Sequence, residues 1–331
     1  MSMETRQWLS KNTLIGYTEK RSTAWHYRQG DNNHYVGAIP VDDVLKRLFP
    51  WSPIKVAEQW TYEGKLVTGK DVVILRSDNG AKLGTFTDGY RVHEYPEWLI
   101  DNVVTLLDGS RNELGISSAV LLKGGKIASV QVEVPETFMG PAGIQARPFL
   151  TASTSLDGSI STQYGRMITK VVCDNTMNIG LNEKGGKIKI RHTRNSLAGK
   201  VAAGREALEL IMTTKDEFFA EVQTLLDTEL TARGFDEIVA ELTTTDEDAS
   251  KRSVTMAQNK RDKLYGLRSD ERVAPWWGNA YGGFQLLSTY RQHEQTVKGA
   301  SRPERNMLNN VLGQTEAADA KDLQLVLAHT G

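Results

Sequence analysis

The sequence has little cysteine and lacks long apolar runs, and both absences narrow the class of protein. Cys173 is the single cysteine among 331 residues, so no internal disulfide can form and a reducing compartment is expected. No stretch approaches the eighteen or so apolar residues that a membrane helix needs, and residues 1–16 carry no apolar core of signal-peptide length. We therefore expect a cytoplasmic protein with no membrane partner.

Motifs for nucleotide, nucleophile and metal chemistry are also missing. The segments 123–128 (KGGKIA) and 184–189 (KGGKIK) contain Gly-Lys pairs, but isoleucine follows each lysine where a phosphate loop needs Ser or Thr. No GxGxxG opens a helix, no GxSxG presents a serine, and the six histidines lack metal-ligand spacing. A metal-dependent enzyme would need dispersed carboxylates to converge, such as Asp42, Asp43, Asp78 and Asp157. We expect no catalytic residue, no metal and no cofactor.

Glycine pairs predict an antiparallel meander in the first part of the chain. The turn signals are Asn79-Gly80, Gly124-Gly125, Asp157-Gly158 and Gly185-Gly186. Tight hairpins require positive φ, which these residues tolerate. The strands expected around them are 71–75, 118–122, 127–134, 149–156, 160–164 and 187–191. Residues 60–195 should therefore form one mainly antiparallel sheet.

A helix is expected to pack on this sheet. Pro96 predicts its start, and Leu99, Val103 and Leu106 share one of its faces.

After residue 195 the apolar period becomes helical. Ser196 precedes one helical run, and Thr214 with Glu217 forms a capping-box pattern that predicts another helix start. Residues 243–250 are polar and acidic, as in a linker. Further helices are expected over 250–265, 278–294 and 303–311.

The expected fold class is α+β, an antiparallel β-meander with a packed helix followed by a mainly helical C-terminal part. The predicted domains are an N-terminal arm and lead-in over 1–59, a sheet domain over 60–195 and a helical region over 196–331.

Charge is segregated along the chain although the net charge is only −1. Residues 166–205 hold nine Lys or Arg against two carboxylates, and residues 206–248 hold thirteen carboxylates against Lys215 and Arg233. A basic segment therefore precedes an acidic one.

The strongest local signal within the basic segment is Lys187–Arg191 (KIKIR). On a strand, Lys187, Lys189 and Arg191 would share one face while the isoleucines pack inward. Arg166 and Lys170 could extend this row if the preceding strand pairs with it. A row of cations can bind phosphates through counterion release, although lysines also protect edge strands from aggregation. The predicted basic set for nucleic-acid binding is Arg166, Lys170, Lys184, Lys187, Lys189, Arg191, His192 and Arg194.

Several residues near the basic set have two interpretations. His192 could contact phosphate or be a hydrogen-bonded structural histidine. Tyr164 could stack on a base, whereas packing is the commoner explanation for Trp276, Trp277 and Tyr281. Cys173 follows an apolar run and is expected to be buried rather than nucleophilic.

The segments 75–92 (LRSDNGAKLGTFTDGYRV), 170–181 (KVVCDNTMNIGL) and 187–195 (KIKIRHTRN) resemble the phage/plasmid-like protein family, a family of domain-of-unknown-function type. The resemblance spans residues 20–300 and implies a phage or mobile-element origin, hence the host cytoplasm. The predicted meander, helix and basic hairpin are similar in architecture to single-strand annealing recombinases, although a fold does not determine a function.

Two functions from different classes remain open. The first is single-stranded DNA binding and strand annealing in phage DNA recombination or replication, without covalent chemistry. Its partners would be single-stranded DNA and other copies of the chain in a homo-oligomer, for which a ring is one form. The second is an interaction protein that binds a host or phage protein.

Overall fold

A computed structural model describes residues 3–20, 32–170, 176–177, 187–188 and 197–330. Its contacts divide the chain into two compact units that alternate along the sequence. The first unit comprises Met1–Glu136, Pro148–Arg166 and Lys187–Met212, and the second comprises Thr137–Arg147, Met167–Gly186 and Thr213–Gly331.

Strands and helices both contribute to the described residues, which confirms the α+β class. The strands are β1 (Thr13–Ile15), β2 (Pro53–Tyr62), β3 (Lys65–Arg76), β4 (Lys82–Thr87), β5 (Gly115–Leu122), β6 (Ile127–Glu133), β7 (Phe138–Met139), β8 (Gln145–Ser155), β9 (Gln163–Lys170), β10 (Thr176–Met177) and β11 (Lys187–Ile188). The helices are α1 (Met3–Asn12), α2 (Val41–Leu48), α3 (Tyr95–Leu99), α4 (Thr105–Gly109), α5 (Leu197–Asp227), α6 (Ala232–Thr243), α7 (Lys251–Leu267), α8 (Ala280–Thr289), α9 (Arg302–Val311) and α10 (Gln314–Ala328).

The larger sheet follows the order β1-β5-β6-β8-β9 in the first unit, with β11 on β9. In the second unit, the remaining parts of β8 and β9 pair with β7 and β10. The pairings recorded between these strands are antiparallel, as a meander requires.

Three of the four predicted turns connect neighbouring strands. Gly80, Gly124 and Gly158 have φ of +69°, +69° and +75°, which an L-residue with a side chain rarely adopts. These turns join β3 to β4, β5 to β6 and β8 to β9, so these predictions are confirmed. The fourth, Gly185-Gly186, lies outside the described residues.

A separate sheet has the order β2-β3-β4, so the prediction of one sheet over residues 60–195 is wrong. Strand β2 was not predicted, although its residues alternate between apolar and polar. The turn that joins it to β3 has Glu63 at φ +48° and Gly64 at φ +75°. Positive φ at both central positions is the type I′ hairpin geometry, adopted here by a Glu-Gly pair instead of the commoner Asn-Gly.

The predicted helix on the sheet is confirmed and continues through a π-helical segment. Helices α3 and α4 flank Ile100–Val104, which has π-helical hydrogen bonds. Leu99, Val103 and Leu106 are fully buried, as their spacing predicted.

The second unit contains most of the C-terminal helices, and side-chain caps define several helix starts. Thr231, Ser250, Asn279 and Ser301 each accept a hydrogen bond from the backbone amide three residues later. Residues 244–250 separate α6 from α7, close to the predicted acidic linker. No helix among the residues covered by the structure is long and apolar enough to cross a membrane.

One helix start was predicted wrongly. Helix α5 runs without interruption from Leu197 to Asp227, through the predicted cap at Thr214. Ile211, Phe218, Val222 and Leu225 continue one buried stripe at helical spacing. Burial of that stripe favours a continuous helix over a local cap.

Candidate nucleic-acid interface

Two parts of the basic segment come close to each other in the backbone of the first unit. Strand β11 pairs antiparallel with β9, with Lys187 opposite Gly165 and Ile188 opposite Tyr164. Arg166 is half-buried and directly follows Gly165 on β9. The Lys187 backbone therefore lies beside the strand that carries Arg166, but neighbouring residues of a strand alternate between the two sides of a sheet, so this register does not place Arg166 in one row with Lys187.

The rest of the predicted basic set cannot be placed by its side chains. Lys170 ends β9, where the structure gives the backbone alone. The following members lie outside the described residues: Lys184, Lys189, Arg191, His192 and Arg194. Cys173, expected to be buried, also lies outside them. The predicted set therefore stays a prediction.

Side-chain hydrogen bonds fix the β8–β9 hairpin that leads to Arg166. The Thr154 Oγ1 atom lies 3.1 Å from Thr162 Oγ1 and 3.1 Å from His93 Nε2. Ser155 Oγ donates to the carbonyl of Ile160 at 2.8 Å and accepts from its amide at 3.1 Å. Burial lowers the pKa of His93, which favours the neutral ring.

Tyr164 does not form a base-stacking platform, so that interpretation is corrected. Its side chain is 4% exposed, and its hydroxyl donates to the Asn102 carbonyl at 3.0 Å. Burial raises the pKa of this phenol. The ring packs in the first unit because β9 presents it inward while its hydroxyl has a partner.

The aromatic residues of the second unit also pack internally. Trp276 and Tyr281 are buried, with ring centroids 5.9 Å apart. Trp277 packs edge-on against Phe235, and the Arg268 guanidinium lies 4.6 Å from the centroid of its ring. The packing interpretation of these aromatic residues is confirmed.

Cationic side chains of α7 hydrogen-bond to groups at the C-terminal ends of neighbouring helical segments. Lys260 Nζ donates to the Leu242 carbonyl at 3.0 Å, and Arg261 donates to Thr243 Oγ1, both at the C-terminal end of α6. Lys263 Nζ donates to the Glu294 carbonyl, which ends the π-helical segment Tyr290–Glu294. Cations at C-terminal helix ends satisfy otherwise unpaired carbonyls and oppose the helix dipole. These three cations therefore have structural roles.

Arginines nearby hold the end of the second unit together. Arg291 forms ion pairs with Asp319 and Asp322 of α10. Its own carbonyl accepts a hydrogen bond from Arg305 at 3.0 Å. Burial raises the pKa of Asp322, and the Arg291 guanidinium acts in the opposite direction.

A cation-lined pocket lies in the first unit, between α1 and residues 33–34. Its volume is about 380 Å³, within the range of small-ligand sites. Its lining includes Arg6, Lys11 and His34 together with Gln7 and Ser10, and no carboxylate is among the lining residues that the structure describes. Arg6 and Lys11 give this lining two cationic side chains.

The carboxylates that an enzymatic function would need have separate local contacts. Asp43 accepts from the Tyr35 hydroxyl, Asp78 pairs with Arg76, and Asp157 accepts from the Ser159 amide. Over the described residues, no group of three or more His, Cys, Asp and Glu side chains could hold a metal ion.

Comparison with known proteins assigns the chain to a family without assigning it a function. The family model "Domain of unknown function (DUF932)" matches residues 82–312, more than two thirds of the chain. The chain belongs to this family. No curated protein and no solved structure matches it. The matched range begins at Lys82, the first residue of β4, so it leaves out β2 and β3.

Proposed function

We propose that this protein binds single-stranded DNA and anneals complementary strands, without covalent chemistry, during recombination or replication of a phage or mobile element. In this proposal it acts in the cytoplasm as a homo-oligomer. The basic segment would hold phosphates, and each neutralised phosphate would release condensed counterions.

The observation that carries the proposal is the pairing of β11 with β9. It brings the first lysine of the KIKIR run beside the strand of Arg166 in the backbone. Residues 166–205 carry an excess of seven positive charges. A cation-rich pair of strands can follow a nucleic-acid backbone, because binding needs charge density more than base contacts.

A comparison within the chain also supports this segment. Helix α7 also carries several cations. Its Lys260, Arg261 and Lys263 side chains hydrogen-bond to helix ends, which limits their use for phosphate binding. The basic segment therefore remains the favoured location for the nucleic-acid contacts. The antiparallel sheet with its packed helix is also compatible with the architecture of single-strand annealing proteins, as an analogy of fold.

A titration of fluorescent oligonucleotides tests the proposal. Anisotropy is measured with single-stranded and duplex DNA across a salt series, and annealing is followed with complementary labelled strands. We expect tighter binding to the single strand, weakening as salt rises, and faster annealing than without protein. Absence of binding to either DNA at low salt would contradict the proposal.

One observation concerns protein contacts, which both the interaction-protein alternative and a homo-oligomer require. One face of the sheet β2-β3-β4 exposes large apolar side chains, which include Ile54, Trp60 and Tyr62. Large exposed apolar groups that cluster on a surface often mark a protein contact.

A further inference from the structure

The outer face of the sheet β2-β3-β4 is largely apolar. In the register of this sheet, Ile54 lies opposite Leu75, Val56 opposite Val73, and Trp60 opposite Val67. Residues opposite each other project to the same side, and alternate residues along a strand share that side. The apolar members of this outer face are Ile54, Val56, Trp60, Tyr62, Val67, Val73 and Leu75.

The two faces of this sheet differ in exposure. Val72 and Ile74, which project to the inner face, are 7% and 0% exposed. On the outer face, Ile54, Trp60 and Tyr62 are 45%, 47% and 64% exposed. The outer face therefore keeps a large apolar surface in contact with solvent, an arrangement that monomeric proteins rarely maintain over a contiguous area.

Trp60 is held in position on this face. A Cβ atom added at Gly69 would lie 2.8 Å from the ring atom Cζ3 of Trp60, so the ring lies directly over the glycine. Glycine permits this close approach because it has no side chain. A ring fixed on one side and exposed on the other is suited to anchor a contact, since little rotamer freedom is lost on binding.

The distal part of the β2–β3 hairpin extends past β4. Strand β4 pairs with β3 from Asp71 to Leu75, and among the described residues the stretch 59–68 of the hairpin has no third strand. A two-stranded hairpin is only marginally stable in water by itself. Its exposed edges and aromatic side chains favour contact with another chain.

Charge on the outer face favours a second copy of the chain over nucleic acid. Glu58 and Asp71 are balanced by Lys65 and Lys82, and Lys82 Nζ lies 4.0 Å from Glu58 Oε1. A polyanion finds no excess of positive charge here, which disfavours nucleic acid. A two-fold contact brings a face against its own copy, so this balance of signs avoids self-repulsion.

We propose that the outer face of β2-β3-β4 is the contact between two copies of this chain, with Trp60 and Tyr62 as its main aromatic anchors. This inference rests on the homo-oligomer of the proposed function, but the contact itself does not depend on nucleic acid. Because β2 and β3 precede the range matched by the family model, the apolar residues of this face lie outside that match.

Sedimentation equilibrium of the full chain without nucleic acid tests the contact. We expect the wild type to form dimers or larger assemblies. The double variant Trp60→Ser/Tyr62→Ser should raise the dissociation constant by at least about 10-fold, since buried Trp and Tyr dominate interface energies. The matched control is Leu66→Ser, which removes an apolar side chain of similar exposure, 67%, from the opposite face of the same hairpin.

Circular dichroism of each variant establishes that the chain is folded. Association that the double variant weakens and Leu66→Ser leaves unchanged supports the proposal. A wild type that stays monomeric up to about 100 μM overturns it. It is also overturned if Leu66→Ser weakens association as much as the double variant, or if the double variant keeps its association but loses single-stranded DNA binding.

Discussion

The second unit and the sheet β2-β3-β4 differ in how far their cationic and aromatic side chains are occupied by contacts within the chain. In the second unit, Lys260, Lys263 and Arg305 bond to carbonyls at helix ends, and Trp276 is buried. In the sheet, large apolar side chains such as Tyr62 remain in contact with solvent. Residue types that often mark a binding site in sequence are thus structural in one region and available in the other. Existing contacts, more than composition, distinguish the two cases.

The largest expected effect comes from the ion pairs of the second unit. Arg291→Met should lower the free energy of unfolding by about 3–5 kcal/mol, because it leaves the buried Asp319 and its neighbour Asp322 without their cation. Urea denaturation measures this loss. Arg233→Met is the control, since its pair with Glu237 is exposed and its loss should leave the midpoint unchanged. Equal midpoints for Arg291→Met and the wild type would contradict the structural role.

Buried and exposed apolar residues of the first unit should differ in how much their replacement lowers the free energy of unfolding. Leu99→Ala should cost about 3 kcal/mol, because a fully buried side chain leaves a cavity. Tyr62→Ser should change the stability of the monomer by no more than about 0.5 kcal/mol. Denaturation at low protein concentration compares them. A Tyr62→Ser cost as large as that of Leu99→Ala would mean that Tyr62 belongs to the core.

A smaller effect is expected at the end of α6. Lys260→Met keeps the aliphatic stem but removes the donor to the Leu242 carbonyl, so it should cost about 1 kcal/mol. Lys251→Met, at an exposed position in the first turn of α7, is the matched control. Thermal denaturation should show a lower midpoint for the first variant than for the second. If both midpoints match the wild type, Lys260 does not stabilise the helix end.

The pH dependence of the first unit gives the smallest expected effect. Burial lowers the pKa of His93 below its ordinary value of 6.5, so the unfolded chain binds the proton more readily than the folded one. His93 therefore favours folding above pH 6.5, and this contribution is lost as the pH falls towards the lowered pKa. Urea midpoints at several pH values should decline less for His93→Asn than for the wild type. Parallel declines would exclude His93 as a source of acid sensitivity.

The fold was predictable from sequence where one local requirement dominates. Gly80, Gly124 and Gly158 marked turns because few other residues adopt their φ. Leu99, Val103 and Leu106 are all buried although a π-helical segment interrupts the α-helix, because the apolar face of a helix packs against the core.

Predictions failed where local and tertiary preferences competed. The capping-box pattern at Thr214 was overridden by the buried stripe that continues through α5. Strand β2 was missed because its turn is Glu63-Gly64, although Ile54, Val56, Trp60 and Tyr62 alternate as in a strand. Tyr164 was considered for stacking from its position near the cations, whereas its ring is buried and its hydroxyl donates to Asn102, 62 residues earlier in the chain.

Single-stranded DNA binding by the basic segment is tested most directly by the salt dependence of affinity. Replacing Lys187, Lys189 and Arg191 by alanine should weaken binding and reduce the slope of log K against log salt by about 2, at about 0.7 per phosphate contact. A control triple, Lys46→Ala/Lys251→Ala/Arg252→Ala, removes the same charge at exposed positions and should leave the slope close to that of the wild type. A folded basic-segment variant with unchanged affinity and slope would contradict the proposed function.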